Sequence, residues 1–198
     1  MRYRRAVEKL RILAEECDSQ RAWPGQDPLL REAHVFGDLL EGSDELERID
    51  LALVLGLPPE RVSWASMPRG AMWLEESLGL NRGGFAYYWR SYLDPVDNHR
   101  IVRPVRFWSR ESGPDEIVLQ ALAERRFDDL SRVETSPDAR RNQLAGELVT
   151  ALDRLRSIRD SYWDHQWRRE HRGAGRYPEN ELWDAIHGYL GLSDAARE

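Results

Sequence analysis

A glycine turn and a carboxylate next to two apolar segments are the residues of this chain best suited to chemistry. A short apolar run ends at Gly37 and Asp38, and Asp50 lies inside the apolar run Ile49–Leu55. The backbone N–H groups of a glycine turn can hold a phosphate, and carboxylates are preferred ligands of Mg²⁺. We therefore predict a ligand-binding cleft at Gly37, Asp38 and Asp50, with Arg106 from a later strand beside it.

This layout resembles the nucleotidyltransferase family, in which a glycine and a serine end one strand and two carboxylates stand two residues apart on the next. The resemblance covers residues 33–110 and implies a triphosphate held by the turn and two Mg²⁺ ions shared by the acids. Asp38 stands in place of the serine and Arg48 in place of the first carboxylate. These departures predict a relative that transfers no nucleotide and needs no cofactor, with Mg²⁺ as the alternative if a nucleotide binds.

Asp50 also has a purely structural interpretation. A carboxylate near a strand end can pair with a nearby guanidinium, and Arg48 and Arg106 are the candidates. The sequence leaves this alternative open beside the binding cleft.

Arg159 and His165 form a second constellation, in a helical segment near the C-terminus. Their spacing is similar to the active motif of HEPN ribonucleases, which implies a histidine that acts as general acid or base on RNA and an arginine that binds the scissile phosphate. The alternative is a solvated helix face on which Asp160 and Asp164 form salt bridges with neighbouring arginines.

Across its whole length the sequence resembles a family of actinobacterial proteins of unknown function. The segments that carry this resemblance are residues 1–7, 36–42, 57–60 with Trp64, 98–100, 162–164 and 167–173. The resemblance implies a lineage and no particular reaction.

Composition excludes several classes of protein. A net charge of -6 over 198 residues argues against a protein that coats nucleic acid or an anionic membrane. Cys17 is the single cysteine, which excludes an internal disulfide and a multi-cysteine zinc site, and we expect no bound metal. The absence of a long apolar stretch predicts no signal peptide and no membrane-spanning helix, so we expect a cytoplasmic protein.

Hydrophobic periodicity predicts the secondary structure. Apolar side chains from Tyr3 to Cys17 recur at steps of three and four, which predicts an amphipathic first helix with the thiol on its buried face. A loop is expected at residues 23–28. Strands are predicted at 33–36, 49–55 and 101–108, the last interrupted by Pro104, and residues 85–92 fit a strand or a helix. Helices are predicted at 72–78, from residue 112 to about 130, from 136 to the glycines at 173 and 175, and from 177 to about 191.

These elements predict an α+β fold: a small mixed or antiparallel sheet, an N-terminal helix and a helical C-terminal third, in a nucleotidyltransferase-like arrangement. We expect residues 1–132 to form an α/β domain and residues 133–198 a helical region packed on it. Most of the eight tryptophans should lie in the core, but Trp163 and Trp167, one helical turn apart, could instead present a surface to a partner.

Three functions remain open from the sequence. The first is a non-catalytic binding or regulatory protein with a small-molecule or protein partner. The second is an enzyme that transfers nucleotides or cleaves RNA. The third is a structural homodimer built on the aromatic C-terminal helices.

Overall fold

A mixed five-stranded sheet forms the centre of the molecule in the computed structural model, which describes residues 1–22, 29–173 and 177–197. Its strands are β1 (Leu30–Phe36), β2 (Ile49–Leu55), β3 (Phe85–Ser91), β4 (Val105–Ser109) and β5 (Gly113–Pro114), in the order β3-β2-β1-β4-β5. β3 runs parallel to β2, and the other neighbouring pairs are antiparallel. The predicted loop at 23–28 and the predicted stop at Gly175 lie outside the described residues.

Six α-helices surround this sheet within the described ranges. They are α1 (Tyr3–Ser19), α2 (Met72–Ser77), α3 (Glu116–Ala123), α4 (Pro137–Ser161), α5 (His165–Glu170) and α6 (Pro178–Ala195). None of these helices combines the length and the apolar character needed to cross a membrane. The predicted α+β class, with an N-terminal helix, a mixed sheet and a helical C-terminal part, is confirmed.

One face of the sheet is covered by α1 and α3. The apolar stripe of α1 packs on alternate residues of the strands, in a cluster that includes Leu10, Val35 and Leu53. The Tyr3 hydroxyl donates a hydrogen bond of 2.7 Å to the Leu122 carbonyl oxygen and so ties the start of α1 to α3. We call this side of the sheet the first face.

The opposite side, which we call the second face, is covered by α4, α6 and the loop that carries Trp64. Phe36 and Ala52, which are buried on neighbouring strands, pack there in one cluster with Trp64, Ala151 and Leu192. At Gly188 an added Cβ would lie 2.3 Å from the Trp64 carbonyl oxygen, so α6 approaches this loop as closely as a glycine allows.

Buried charges also attach α4 to the rest of the molecule. Asp97 is fully buried, and its carboxylate accepts hydrogen bonds from the Arg140 guanidinium at 3.0 Å and from the Thr135 backbone N–H at 2.8 Å. Arg90 of β3 pairs with Glu147 of α4 at 2.7 Å. The second face is therefore held by ion pairs as well as by apolar contacts.

The helix predicted from residue 112 to about 130 is shorter than expected. Asp115 caps its N-terminus by accepting a hydrogen bond from the Val118 N–H, and Gly113 belongs to β5. Arg125 has a φ of +57°, a left-handed backbone that ends the helix. The Arg125 guanidinium lies 4.3 Å from the centre of the Tyr3 ring, so tertiary contacts favour this ending.

The helix predicted from residue 136 to residue 173 is divided in two. Ser136 caps α4 as expected, but α4 ends at Ser161. The Asp164 side chain then accepts a hydrogen bond from the Trp167 N–H and begins α5. Between Ser161 and His165 the sequence has no glycine or proline that would mark this break.

Two smaller boundaries also differ from the prediction. Residues 101–102 are not part of a strand, because the Asn98 side-chain oxygen accepts hydrogen bonds from the Arg100 and Ile101 N–H groups and forms a turn there. The pairing of β4 with β1 has an irregular register between Ala33 and His34, and the residue that it skips on β4 is Phe107, not a residue next to Pro104. The last helix continues to Ala195, beyond the predicted end.

Candidate functional site

The turn at Gly37 and the carboxylate of Asp50 lie side by side, as the sequence predicts. Phe36 of β1 pairs with Asp50 of β2, and the chain turns directly after this pair. Gly37 has a φ of +72°, and a Cβ at this position would lie 3.0 Å from the Asp50 Oδ2 atom. Glycine is therefore required both by the backbone conformation and by the close approach of the carboxylate.

The Asp50 carboxylate already has a cationic partner. The Arg48 Nε–H donates a 3.3 Å hydrogen bond to the Asp50 Oδ1 atom. Burial raises the pKa of Asp50, and the nearby Asp38 carboxylate raises it further, whereas Arg48 opposes the shift. Of the two interpretations of Asp50, its pairing with Arg48 is what the structure shows.

An Mg²⁺ ion of the kind that the resemblance implies does not fit these residues. Two-metal sites need several oxygen ligands around the ions, and here a guanidinium occupies the position beside Asp50. Within the described parts of the chain, no group of three or more His, Cys, Asp or Glu side chains is placed to hold a metal ion.

Arg106 belongs to a different group of residues from Gly37 and Asp38. Its guanidinium donates to the Glu32 Oε1 atom at 3.2 Å, and the other Glu32 oxygen lies 2.9 Å from the His34 Nε2 atom. The hydrogen bond with His34, and then the pairing with Arg106, lower the pKa of Glu32 against the opposing effect of burial. Glu32 thus holds His34 from one side and Arg106 from the other.

These three side chains lie at a cavity of about 850 Å³, which we call the His34 cavity. Its charged and polar lining comes from Arg31, Glu32, His34, Asp94, Arg106, Ser109, Arg110, Glu111, Asp115 and Ser131, and its apolar lining includes Leu29, Val54, Tyr92, Val96, Val118 and Val133. Cavities of this size are typical of small-molecule sites. Of the predicted binding residues, Arg106 lines this cavity.

Glu32 and His34 line this cavity, and the sequence did not single them out as candidates. In the sequence His34 stands apart from other histidines and from cysteines, so it gave no metal-site signal. One pattern could have indicated His34: Glu32 and His34 are two residues apart on a strand, so they face the same side of the sheet. His34 is only 2% exposed, so its ring depends on buried partners.

The proposed nuclease residues lie elsewhere. Arg159 is in the last turn of α4, where its Nε–H donates to Asp160 at 2.8 Å. His165 is the exposed first residue of α5. Helix α4 ends between them, so the two residues do not share one continuous helix, and the nuclease hypothesis stays a prediction.

Comparison with known proteins gives a family. A family model described as a domain of unknown function, DUF7711, matches residues 1–198. This chain belongs to the DUF7711 family. The comparison of this DUF7711 chain with curated proteins finds no match.

Among solved structures, the DUF7711 chain is similar to a protein from Sulfolobus solfataricus described as a "putative nucleotidyltransferase". The two are 25% identical, the match covers 56% of this chain and 86% of that chain, and the TM-score is 0.39.

Proposed function

We propose that this DUF7711 protein acts by binding a ligand and that it transfers no nucleotide. The observation that carries the proposal is the ion pair of Arg48 with Asp50. In the resemblance to nucleotidyltransferases, the position of Arg48 belongs to a metal-binding carboxylate. An arginine there removes a ligand and adds a positive charge beside Asp50, so an Mg²⁺ ion would be repelled and would have too few oxygen ligands.

The turn supports the same proposal. Asp38 follows Gly37 directly, and its charge is close enough to raise the pKa of Asp50. A triphosphate held by the backbone N–H groups of this turn would meet a negative side chain at the point where a phosphate-binding turn has a hydroxyl. The site thus disfavours both parts of a metal–nucleotide complex.

A metal-dependent melting experiment tests the proposal. For the natural protein we expect no Mg²⁺-dependent rise in Tm with any nucleoside triphosphate. The Arg48→Asp variant restores the pair of carboxylates two residues apart, and we expect it to gain a Tm rise with Mg²⁺ or Mn²⁺. A ligand present at about 100 times its Kd would raise Tm by about 5–10 °C in a chain of this size.

The double variant Arg48→Asp with Asp50→Asn is the control, and it should lose the gained response. Mg²⁺-dependent formation of a nucleotide-transfer product by the natural protein, abolished by Asp50→Asn, would overturn the proposal. A cytoplasmic location belongs to this proposal too, and a sequence with one cysteine, which can form no internal disulfide, supports a reducing compartment.

Self-association through the C-terminal helices is a second candidate function. Trp163 is 84% exposed in the turn between α4 and α5, which is unusual for the largest apolar side chain. Trp167, in contrast, stacks on His171 with ring centres 4.1 Å apart. We expect Trp163→Ser to shift a dimer towards monomer in sedimentation, while Trp167→Ser mainly disturbs α5. The mass of a monomer at every concentration of the natural protein would contradict this candidate.

A further inference from the structure

We propose that the His34 cavity binds a small organic anion that also carries a hydroxyl or amino group and an apolar body. This inference rests on the proposed function, since it names the ligand class of a binding protein. It places the ligand away from the Gly37 turn, on the part of the second face where Glu32, His34 and Arg106 meet.

The hydrogen-bond pattern of His34 leaves one ring nitrogen for a ligand. Glu32 is an acceptor when ionised, so the His34 Nε2–H donates to it, and the tautomer that makes this bond has its lone pair on Nδ1. The Nδ1 atom is buried and has no hydrogen-bond partner. Buried polar atoms in folded proteins nearly always have a partner. A ligand O–H or N–H group that donates to Nδ1 would supply it.

Arg110 offers a positive charge at the same cavity. Its Nη1 atom is buried and makes no hydrogen bond, while its Nη2–H donates to the Arg21 carbonyl oxygen at 3.4 Å. The other arginines of the lining are engaged: Arg106 pairs with Glu32, and Arg31 lies 4.5 Å from the centre of the Tyr92 ring. The Arg110 guanidinium is therefore suited to an anionic group of the ligand.

The other residues that line the cavity limit the negative charge of the ligand and favour an apolar group in it. Asp94 and Glu111 also line the cavity, whereas the Asp115 side chain is used as the cap of α3. A ligand with several negative charges would be repelled by these acids, so a single anionic group fits better than a triphosphate. Val54 and Val118 belong to the apolar lining, which suits an aliphatic or aromatic body.

Three related probes test this ligand class. 3-Phenyllactate and phenylalanine carry an anion, a donor group and an apolar body, whereas 3-phenylpropionate lacks the donor. At about 10 mM, within the range of weak binding, the first two should move the imidazole ¹⁵N resonances of His34, and 3-phenylpropionate should bind roughly five- to tenfold more weakly. Movement by 3-phenylpropionate equal to that by 3-phenyllactate would contradict the role of Nδ1.

Two variants and a control complete the test, with binding measured by calorimetry. His34→Gln keeps a donor for Glu32 but has no atom at the Nδ1 position, and Arg110→Gln removes the cation together with the long hydrogen bond to the Arg21 carbonyl oxygen. Each should weaken 3-phenyllactate binding by about tenfold or more. Arg103→Gln is the control, because Arg103 is 52% exposed, pairs with Glu134 and is not part of the cavity.

If His34→Gln does not fold, Arg110→Gln still decides the matter. Unchanged affinity in Arg110→Gln, or failure of all three probes to move the His34 resonances, would overturn the inference. Neither result bears on the Arg48→Asp melting experiment, so failure of the ligand assignment can be distinguished from failure of the proposed function.

Discussion

The first face of the sheet is sealed by aliphatic and aromatic side chains, whereas the second face is held by buried ion pairs as well as apolar contacts. On the first face α1 contributes residues such as Leu10 and Ala14, which are fully buried and need no partner of opposite charge. On the second face Asp97 and Arg90 are buried and depend on specific partners.

This difference implies different responses to perturbation. The stability that apolar packing gives is nearly independent of pH. A substitution lowers it in proportion to the buried apolar surface that is lost. A buried ion pair contributes little net stability, but removal of one partner leaves an uncompensated charge and costs much more. The second face, which also carries the His34 cavity, should therefore be the more sensitive to charge substitutions and to acid.

The largest effect is expected at Arg140. Arg140→Met leaves the fully buried Asp97 carboxylate without its cation, and the free energy of unfolding should fall by about 3 kcal/mol. Arg141→Met is the matched control, because Arg141 pairs with Asp138 at the surface and should cost less than about 0.5 kcal/mol. Urea unfolding measures both changes. Equal losses of unfolding free energy in the two variants would contradict the proposed difference between buried and surface ion pairs.

A pair of glycine substitutions tests how closely the second face is packed. Gly188→Ala places a methyl group against the Trp64 carbonyl oxygen and should cost about 2 kcal/mol. Gly146→Ala, in α4, meets no atom within 4 Å and should stabilise the protein by about 1 kcal/mol through helix propensity. Thermal unfolding that shows the same sign for both variants would contradict this packing.

Acid should weaken the second face through His99, whose ring centre lies 4.7 Å from that of Trp64. Burial lowers the pKa of His99 below its ordinary value near 6.5, with Arg90 and Arg100 adding to the shift and Glu147 opposing it. The unfolded chain then binds the proton more readily, so stability is lost as the pH falls below about 6.5.

His99→Gln should flatten the loss of stability with acid between about pH 7 and pH 5, as measured by urea midpoints. His165→Gln, at an exposed histidine, is the control and should leave the slope unchanged. The lowered pKa of Glu32 adds a further loss of stability below about pH 4.5. An unchanged slope in His99→Gln would show that other groups carry the acid response.

The smallest effect of Arg140→Met is expected at Cys17, on the first face. Burial raises the pKa of this thiol, so iodoacetamide should label it more than about a hundredfold more slowly than a free cysteine. If the two faces open separately, Arg140→Met leaves this rate unchanged. A parallel rise in the rate would show that both faces open together.

The elements that have a regular hydrophobic pattern and clear residues at their ends could be predicted from the sequence. β2 occupies the predicted residues Ile49–Leu55, since a run of apolar side chains ends at a glycine, and α1 follows its apolar stripe. The ends of α3 and α4 could not be predicted from periodicity. A left-handed Arg125 and a cap from Asp164 decide them, and the first of these depends on contacts with residues distant in the sequence.

The candidate site divides in the same way. The nearness of Gly37 and Asp50 follows from one strand, one turn and the next strand, which a sequence motif can encode. Glu32, His34 and Arg106 lie together because of the register between β1 and β4, which are about 70 residues apart in the sequence. Their arrangement also requires that the Arg106 guanidinium pairs with Glu32. No local pattern carries that information.

The hydrogen bond from Tyr3 to Leu122 joins residues 119 positions apart, and this has a consequence for synthesis on the ribosome. The part of α1 that contacts α3 is made first and acquires its partner only when residue 122 has been added. At about 5–20 residues per second this delay is roughly 6–24 s. During that time the part of α1 that α3 covers is a surface that a chaperone can bind, and a chain truncated before α3 would leave this part uncovered.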